Sequence, residues 1–260
     1  MWRPFGSRKR LAERVVAEHW ARSCEPLALL ARCSRRQRLD LQALCVAFLA
    51  RKRLEPAADL VLDDELALLI AVQACLPVLE LGIRWYDDWV SVIVYPDDFV
   101  ARHEVMDEAG VVHEDTSALS GEAWVRGPVL LSVPGVMEGA RGEGWGNLVI
   151  HEMAHKLDLR NGAANGMPPL HAGMSTRRWS SVFSAAYAGF RRRLASGAPD
   201  VLDGYAAEDP GEFFAVASEA FFVMPEALGE QYPDLYAQLV EFYRQDPAAG
   251  APAGLSPAGG

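Results

Sequence analysis

Residues 147–162, "NLVIHEMAHKLDLRNG", carry two histidines four positions apart, with a glutamate directly after the first, in an otherwise mostly apolar run. On an α-helix, a four-residue step advances about 40° around the axis and about 6 Å along it, so the imidazoles of His151 and His155 can converge on one ion. Glu152, about 100° round from His151, is poorly placed to join the same ligand set and well placed to take a proton from an attacking water. H-E-x-x-H arises by chance in about one sequence in a hundred of this composition, so the surrounding residues decide. Leu148, Ile150, Ala154 and Leu157 make the helix part of a core, and Gly162 supplies a C-terminal stop. Buried polar groups without partners are costly, and a divalent cation answers the need of two neutral histidines and a glutamate. The expected element is a helix over 147–159 with a metal on one side of it.

A catalytic zinc takes three protein ligands and keeps one position open. A metzincin would continue with Gly at 158 and His or Asp at 161; this chain has Asp158 and Asn161, which disfavours that class. Downstream, in "DGYAAEDPGEFFAVASEAFF" (203–222), Pro210 opens a helix on which Glu212 and Glu219, seven apart, share a face. One of the two can bind the metal while the other orients a histidine, and Asp158, seven after His151, is a further candidate for orienting one. Tyr205 stands seven before Glu212, where a phenol can hydrogen-bond an oxyanion or pass a proton to a leaving amine.

The pattern elsewhere predicts helices over 10–55, where "LDLQALCVAFLARKRLEP" repeats apolar residues and stops before Pro56, and from "DDELALLIAVQACLPVLELG" (63–82) up to Pro77. "VSVIVYP" (90–96) and "EAWVRGPVLLSVP" (122–134) read as strands of a small sheet, each ended by proline. Within the second, "GPVLLSV" (127–133) is the segment nominated to carry an extended substrate backbone. Further helices are expected over 177–196, 210–228 and 233–246. The fold class is α+β, mainly helical with a small mixed sheet. Residues 1–85 form a helical region packed on the core of residues 86–247, and the Ala/Pro/Gly-rich 248–260 form a flexible tail.

At 260 residues, half of them hydrophobic, the chain can bury a real core without staples. Its cysteines, Cys24, Cys33, Cys45 and Cys75, show no C-x-x-C pairing and sit among helix-like apolar residues, which points to buried thiols in a reducing compartment. The basic start lacks the uninterrupted apolar block of a secretory leader, and no stretch offers the ~20 apolar residues of a bilayer span, so a cytoplasmic, membrane-free protein is expected. Net charge is −10, with 13 Lys/Arg against 6 Asp/Glu in residues 1–60 and 12 against 29 in the rest. The acidic body would repel phosphate, and direct nucleic-acid binding is not expected.

"LPVLELG" (76–82) with "VIVYP" (92–96), then the 147–162 block, "GYAAEDPGEFFAVASEAFF" (204–222) and "EFYRQDP" (241–247), occur in the same order as in the MtfA family, which is named for Mlc titration factor A and which the chain resembles over roughly residues 25–247. That resemblance implies a zincin-like (gluzincin) catalytic core related to the lethal-factor type. It implies one zinc ion on His151, His155 and Glu212, with Glu152 as general base and Tyr205 at the oxyanion. It further implies a cytosolic metallopeptidase with aminopeptidase activity on small peptides, which binds the glucose repressor Mlc and thereby touches sugar phosphotransferase control. The alternative it carries is a repressor-sequestering protein whose peptidase site is gated or unused. The arginine-rich N-terminus and the Ala/Pro/Gly tail depart most from the family pattern.

Overall fold

The computed structural model describes residues 5–97, 105–106, 112–113, 127–142, 144 and 146–250. In chain order these form α1 (Phe5–His19), running on into a π-turn at Trp20–Cys24, α2 (Ala28–Ala31), α3 (Arg35–Arg51), β1 (Arg53–Pro56) and α4 (Asp64–Cys75). A 3₁₀ turn (Ile83–Tyr86) leads to β2 (Ser91–Tyr95), followed by β3 (Val105–Met106), β4 (Val112–His113) and β5 (Val129–Ser132). The remaining helices are α5 (Val133–Arg141), α6 (Leu148–Asp158), α7 (Thr176–Ala195), α8 (Pro210–Val223), α9 (Pro225–Gln231) and α10 (Pro233–Tyr243). No helix among them is long and apolar enough to cross a membrane.

The architecture is α+β and mainly helical, and among the described residues the main sheet has parallel strands only, where a mixed sheet was expected from the sequence. Its three strands run in the order β1-β2-β5 and are parallel throughout, with Leu54 opposite Val92 and Val92 opposite Val129. The antiparallel pair β3–β4 is separate. Parallel neighbours need a long crossover, and α4 provides the one between β1 and β2.

Strand β1 falls inside the stretch read as helix. Two features end α3 before it: Lys52 turns to extended backbone (φ −87, ψ 152), and Glu55 precedes Pro56, which disfavours helical conformation. The Lys52 ammonium donates to the carbonyls of Tyr86 and Trp89 and lies 3.7 Å from the Trp89 ring centroid, so the turn is fixed by its own side chain. The expected strand 122–134 is reduced to Val129–Ser132, its first residues, 122–126, lying outside the described ones. Pro134, read as a strand stop, opens α5, with the Ser132 hydroxyl capping Gly135. Pro225 likewise divides the expected 210–228 helix into α8 and α9. Residues 251–260 of the expected tail lie outside the described residues, whereas Pro247–Gly250 form a turn.

One contiguous apolar cluster extends from Val15 to Tyr243, so residues on both sides of position 85 share it. α4 is buried around most of its circumference, from Leu66 to Cys75, and α8 from Gly211 to Phe222. These two helices flank α6 and give it a rigid bed. Beneath α8, Trp179 stacks on Phe183 at 4.2 Å and donates its indole N–H to the carbonyl of Gly166, tying the loop after α6 to the core.

Candidate metal centre

α6 begins where the side chain of Asn147 accepts a hydrogen bond from the amide of Ile150, and its inner face is Val149, Ile150, Met153, Ala154 and Leu157. That face against the core sets His151 and His155 side by side at the rim of a cleft of about 360 Å³. α8 delivers the third group. Asp209 caps it by accepting from the amides of Gly211 (2.7 Å) and Glu212 (3.0 Å), and Pro210 fixes its first turn, so Glu212 projects from a helix end with little freedom.

The geometry brings together His151, His155 and Glu212. Nε2 of His151 lies 3.0 Å from Nε2 of His155 and 3.1 Å from one Glu212 oxygen, while Nε2 of His155 lies 3.3 Å from the other. A tetrahedral site with bonds of about 2.0–2.1 Å has donor-to-donor separations of about 3.3–3.4 Å, so the triad needs only a slight opening to hold zinc. Two nitrogens and one carboxylate, leaving one side open to a cleft, is the donor set of a catalytic rather than a structural site.

The electrostatics agree. Burial disfavours a charged imidazole at His151, yet hydrogen bonds to Glu212 and Glu219 and the nearby charge of Glu152 outweigh it and push the pKa up to about 10. Carboxylates that hold a proton this firmly will also favour a cation there.

Glu219 takes a different position from Glu212. Its Oε1 lies 2.6 Å from Nδ1 of His151, and its Oε2 accepts from the amide of Asn147 at 2.5 Å. It therefore faces the outer nitrogen of the imidazole, the side that leaves Nε2 turned toward the triad. Asp158, the other candidate for orienting a histidine, is fully buried and accepts from the amide of Gly166 at 2.7 Å. Burial raises its pKa to about 6, against the pull of the backbone N–H groups of Gly166, Met167 and Asn165 and of His155. This hydrogen bond ties it to the loop after α6, so it acts on that loop.

Glu152 lines the cleft beside the triad, and so does Tyr205 from the 3₁₀ turn Gly204–Ala207, its ring centroid 6.0 Å from that of His151. Burial first, then the charges of Glu212, Glu208, Glu152 and Asp209, push the Tyr205 phenol up to about 12. It keeps its proton at neutral pH and remains a donor. β5 is an edge strand among the described residues, with Leu130 its outward-facing member, but residues 127–133 do not line the cleft. The wall nearest to them is α5, which contributes Glu138 and Gly139. Sequence reasoning missed this helix and its acid; the signal was Ser132 followed by Pro134, a cap and a first-turn proline.

The model of the glucose-regulated metallo-peptidase M90 family matches residues 2–244. The chain is 39% identical over 223 residues to Mlc titration factor A of Cronobacter sakazakii, covering 85% of this chain and 84% of that protein. It is 40% identical over 237 residues to Mlc titration factor A of Pectobacterium atrosepticum, covering 89% and 88%. The counterpart of the same name in Salmonella agona is 38% identical over 227 residues, covering 85% and 84%. A match along nearly the whole chain, on top of a His-His-Glu cluster at the mouth of a cleft, means that the chain belongs to the glucose-regulated metallo-peptidase family M90, among the Mlc titration factor A proteins.

Proposed function

We propose that the protein is a cytoplasmic zinc aminopeptidase that holds one zinc ion on His151, His155 and Glu212. The observation that carries this reading is the spacing of the three donor atoms at the wall of an acidic cleft. Zinc, when bound, supplies Lewis acidity, which polarises the scissile carbonyl and brings the pKa of water toward about 7. Glu152 takes the proton of the attacking water and passes it to the leaving nitrogen, so that one water is consumed for each C–N bond broken. Tyr205 donates its phenolic hydrogen to the oxygen that gains charge. The edge of β5 is the segment along which an extended substrate continues away from the cleft.

The preference for an amino terminus rests on Glu138. Its carboxylate sits on the lip of the cleft and makes no ion pair or hydrogen bond among the described residues. No Lys or Arg among the described residues lines the cleft, so it favours a cationic group, and a substrate's free α-amine is the one every peptide carries. A charge-assisted hydrogen bond contributes about 1.5–3 kcal/mol, so Glu138→Gln should raise KM for aminoacyl chromogenic substrates about tenfold or more. Cleavage of N-acetylated peptides should be unaffected. Equal effects on free and blocked substrates would remove Glu138 from this role, and a wild-type protein that cleaves neither would overturn the peptidase reading.

The name shared by the relatives, Mlc titration factor A, supports a second role: binding of the repressor Mlc, and through it control of sugar phosphotransferase genes. That role is compatible with peptidase activity; in the alternative reading the protein only sequesters the repressor, and its peptidase site is gated or not used.

A further inference from the structure

A buried chain of hydrogen bonds leads from the candidate metal centre into the N-terminal helical region. Nδ2 of Asn147 donates to Oε1 of Gln73 at 2.8 Å, across 74 residues of sequence, and neither side chain is more than 1% exposed. Gln73 is itself fixed: its Nε2 donates to the carbonyls of Leu69 at 3.0 Å and Val136 at 3.2 Å, which ties α4 to α5. The Oδ1 of Asn147 caps Ile150, and its backbone N–H reaches Glu219, whose other oxygen faces Nδ1 of His151. Both hydrogens and the oxygen of the Gln73 amide are thus used.

Two glycines keep room for this arrangement. A Cβ at Gly139 would stand 2.6 Å from both Nδ2 of Asn147 and Oε1 of Gln73, and a Cβ at Gly146 would stand 2.5 Å from Oε2 of Glu219. Close approach of α5 and the loop before α6 to these polar groups is possible only without a side chain.

We propose that Gln73 is a positioning residue for the metal centre: by holding the Asn147 amide it sets the register of the first turn of α6 and aims the Asn147 N–H at Glu219, which in turn holds His151. Glu219 offers two oxygens with two assigned partners. If Asn147 turns away, the carboxylate loses the donor that fixes it and His151 loses its fixed orientation. The inference rests on the zinc reading but concerns α4, a helix that lines no part of the cleft. Orienting carboxylates of this kind typically change metal affinity 10–100-fold when disrupted. An effect relayed through one further residue belongs at the lower end of that range.

The test is the zinc affinity of the folded protein, measured by competition with a chelator, together with thermal unfolding. Gln73→Leu keeps the volume and removes both ends of the amide. Gln73→Asn keeps the amide but is one methylene too short to reach, and is the milder change should the leucine variant not fold. Gln73→Glu, as a buried neutral acid, keeps a carbonyl toward Asn147 and an O–H toward Val136. Tyr86→Phe serves as the control, since it removes a buried hydrogen bond to the carbonyl of Ala74, the next residue along α4, without touching the chain of bonds. The expected result is a zinc dissociation constant raised about tenfold for Gln73→Leu, raised in the same direction for Gln73→Asn, near wild type for Gln73→Glu, and unchanged for Tyr86→Phe whatever its loss of stability. Wild-type zinc affinity in Gln73→Asn, or an equal loss in Tyr86→Phe, would overturn the proposal. A wild-type protein that does not bind zinc would instead overturn the reading beneath it.

Discussion

Glu152→Gln is expected to lower peptide hydrolysis about 10²–10⁴-fold with zinc content unchanged. The glutamine is nearly isosteric and keeps a hydrogen-bond acceptor in the cleft, but it cannot take a proton from water at neutral pH. The loss corresponds to about 3–5 kcal/mol of transition-state stabilisation and should fall on kcat, since substrate contacts are left in place. Glu152 lines the cleft beside the triad rather than within it, which is why metal retention and turnover should separate. The same variant sorts the two functional readings: if it still relieves repression by Mlc, binding carries the regulation; if relief is lost with hydrolysis, cleavage does. A variant with full activity would deny Glu152 its assigned role.

Glu219→Gln is expected to weaken zinc binding about 10–100-fold, although residue 219 is not one of the proposed ligands. The reason is a conflict between hydrogens. Glu219 accepts from the amide of Asn147 through one oxygen and faces Nδ1 of His151 with the other. A glutamine has one oxygen and one NH₂. If the oxygen serves Asn147, the NH₂ faces Nδ1 and favours the tautomer with hydrogen on Nε2, the nitrogen that must be bare to bind metal. If the amide flips, its NH₂ meets the N–H of Asn147. Either way a buried donor is left without an acceptor, or the imidazole is turned wrong. Zinc also competes with a proton at this site: with the His151 pKa pushed up to about 10, metal uptake at neutral pH releases a proton, so affinity should rise with pH over that range. Unaltered zinc affinity in Glu219→Gln would show that the carboxylate does not act on His151.

Local signals told much of this in advance, and the failures have physical causes. The 147–159 helix, the 177–196 helix and the proline-opened helix at 210 were legible because cap, first-turn residue and apolar period agree at each of them. Ser132 and Pro134 were not, since proline both ends strands and opens helices and only the tertiary setting chooses. Strand β1, with a charge at Arg53 and Glu55 and one apolar residue at Leu54, has no alternation to read; its existence depends on β2 lying alongside.

Within the candidate centre, the His151–His155 step is pure helix geometry and visible from spacing. The assignment between Glu212 and Glu219 is not, since seven residues put both on one face and only the crossing of α6 over α8 sets the first at Nε2 and the second at Nδ1 of the same imidazole. Gln73 and Asn147 meet across 74 positions, where no local pattern carries information.

In the proposed function, peptidase activity depends on one cation held by His151, His155 and Glu212. The most direct test is metal analysis of the purified chain alongside a chromogenic aminopeptidase assay, before chelation, after it, and after zinc is returned. About one zinc per chain is expected, with metal and activity lost together on chelation and restored together. Full aminopeptidase activity in protein stripped of metal, or no zinc bound by the folded chain, would contradict that dependence.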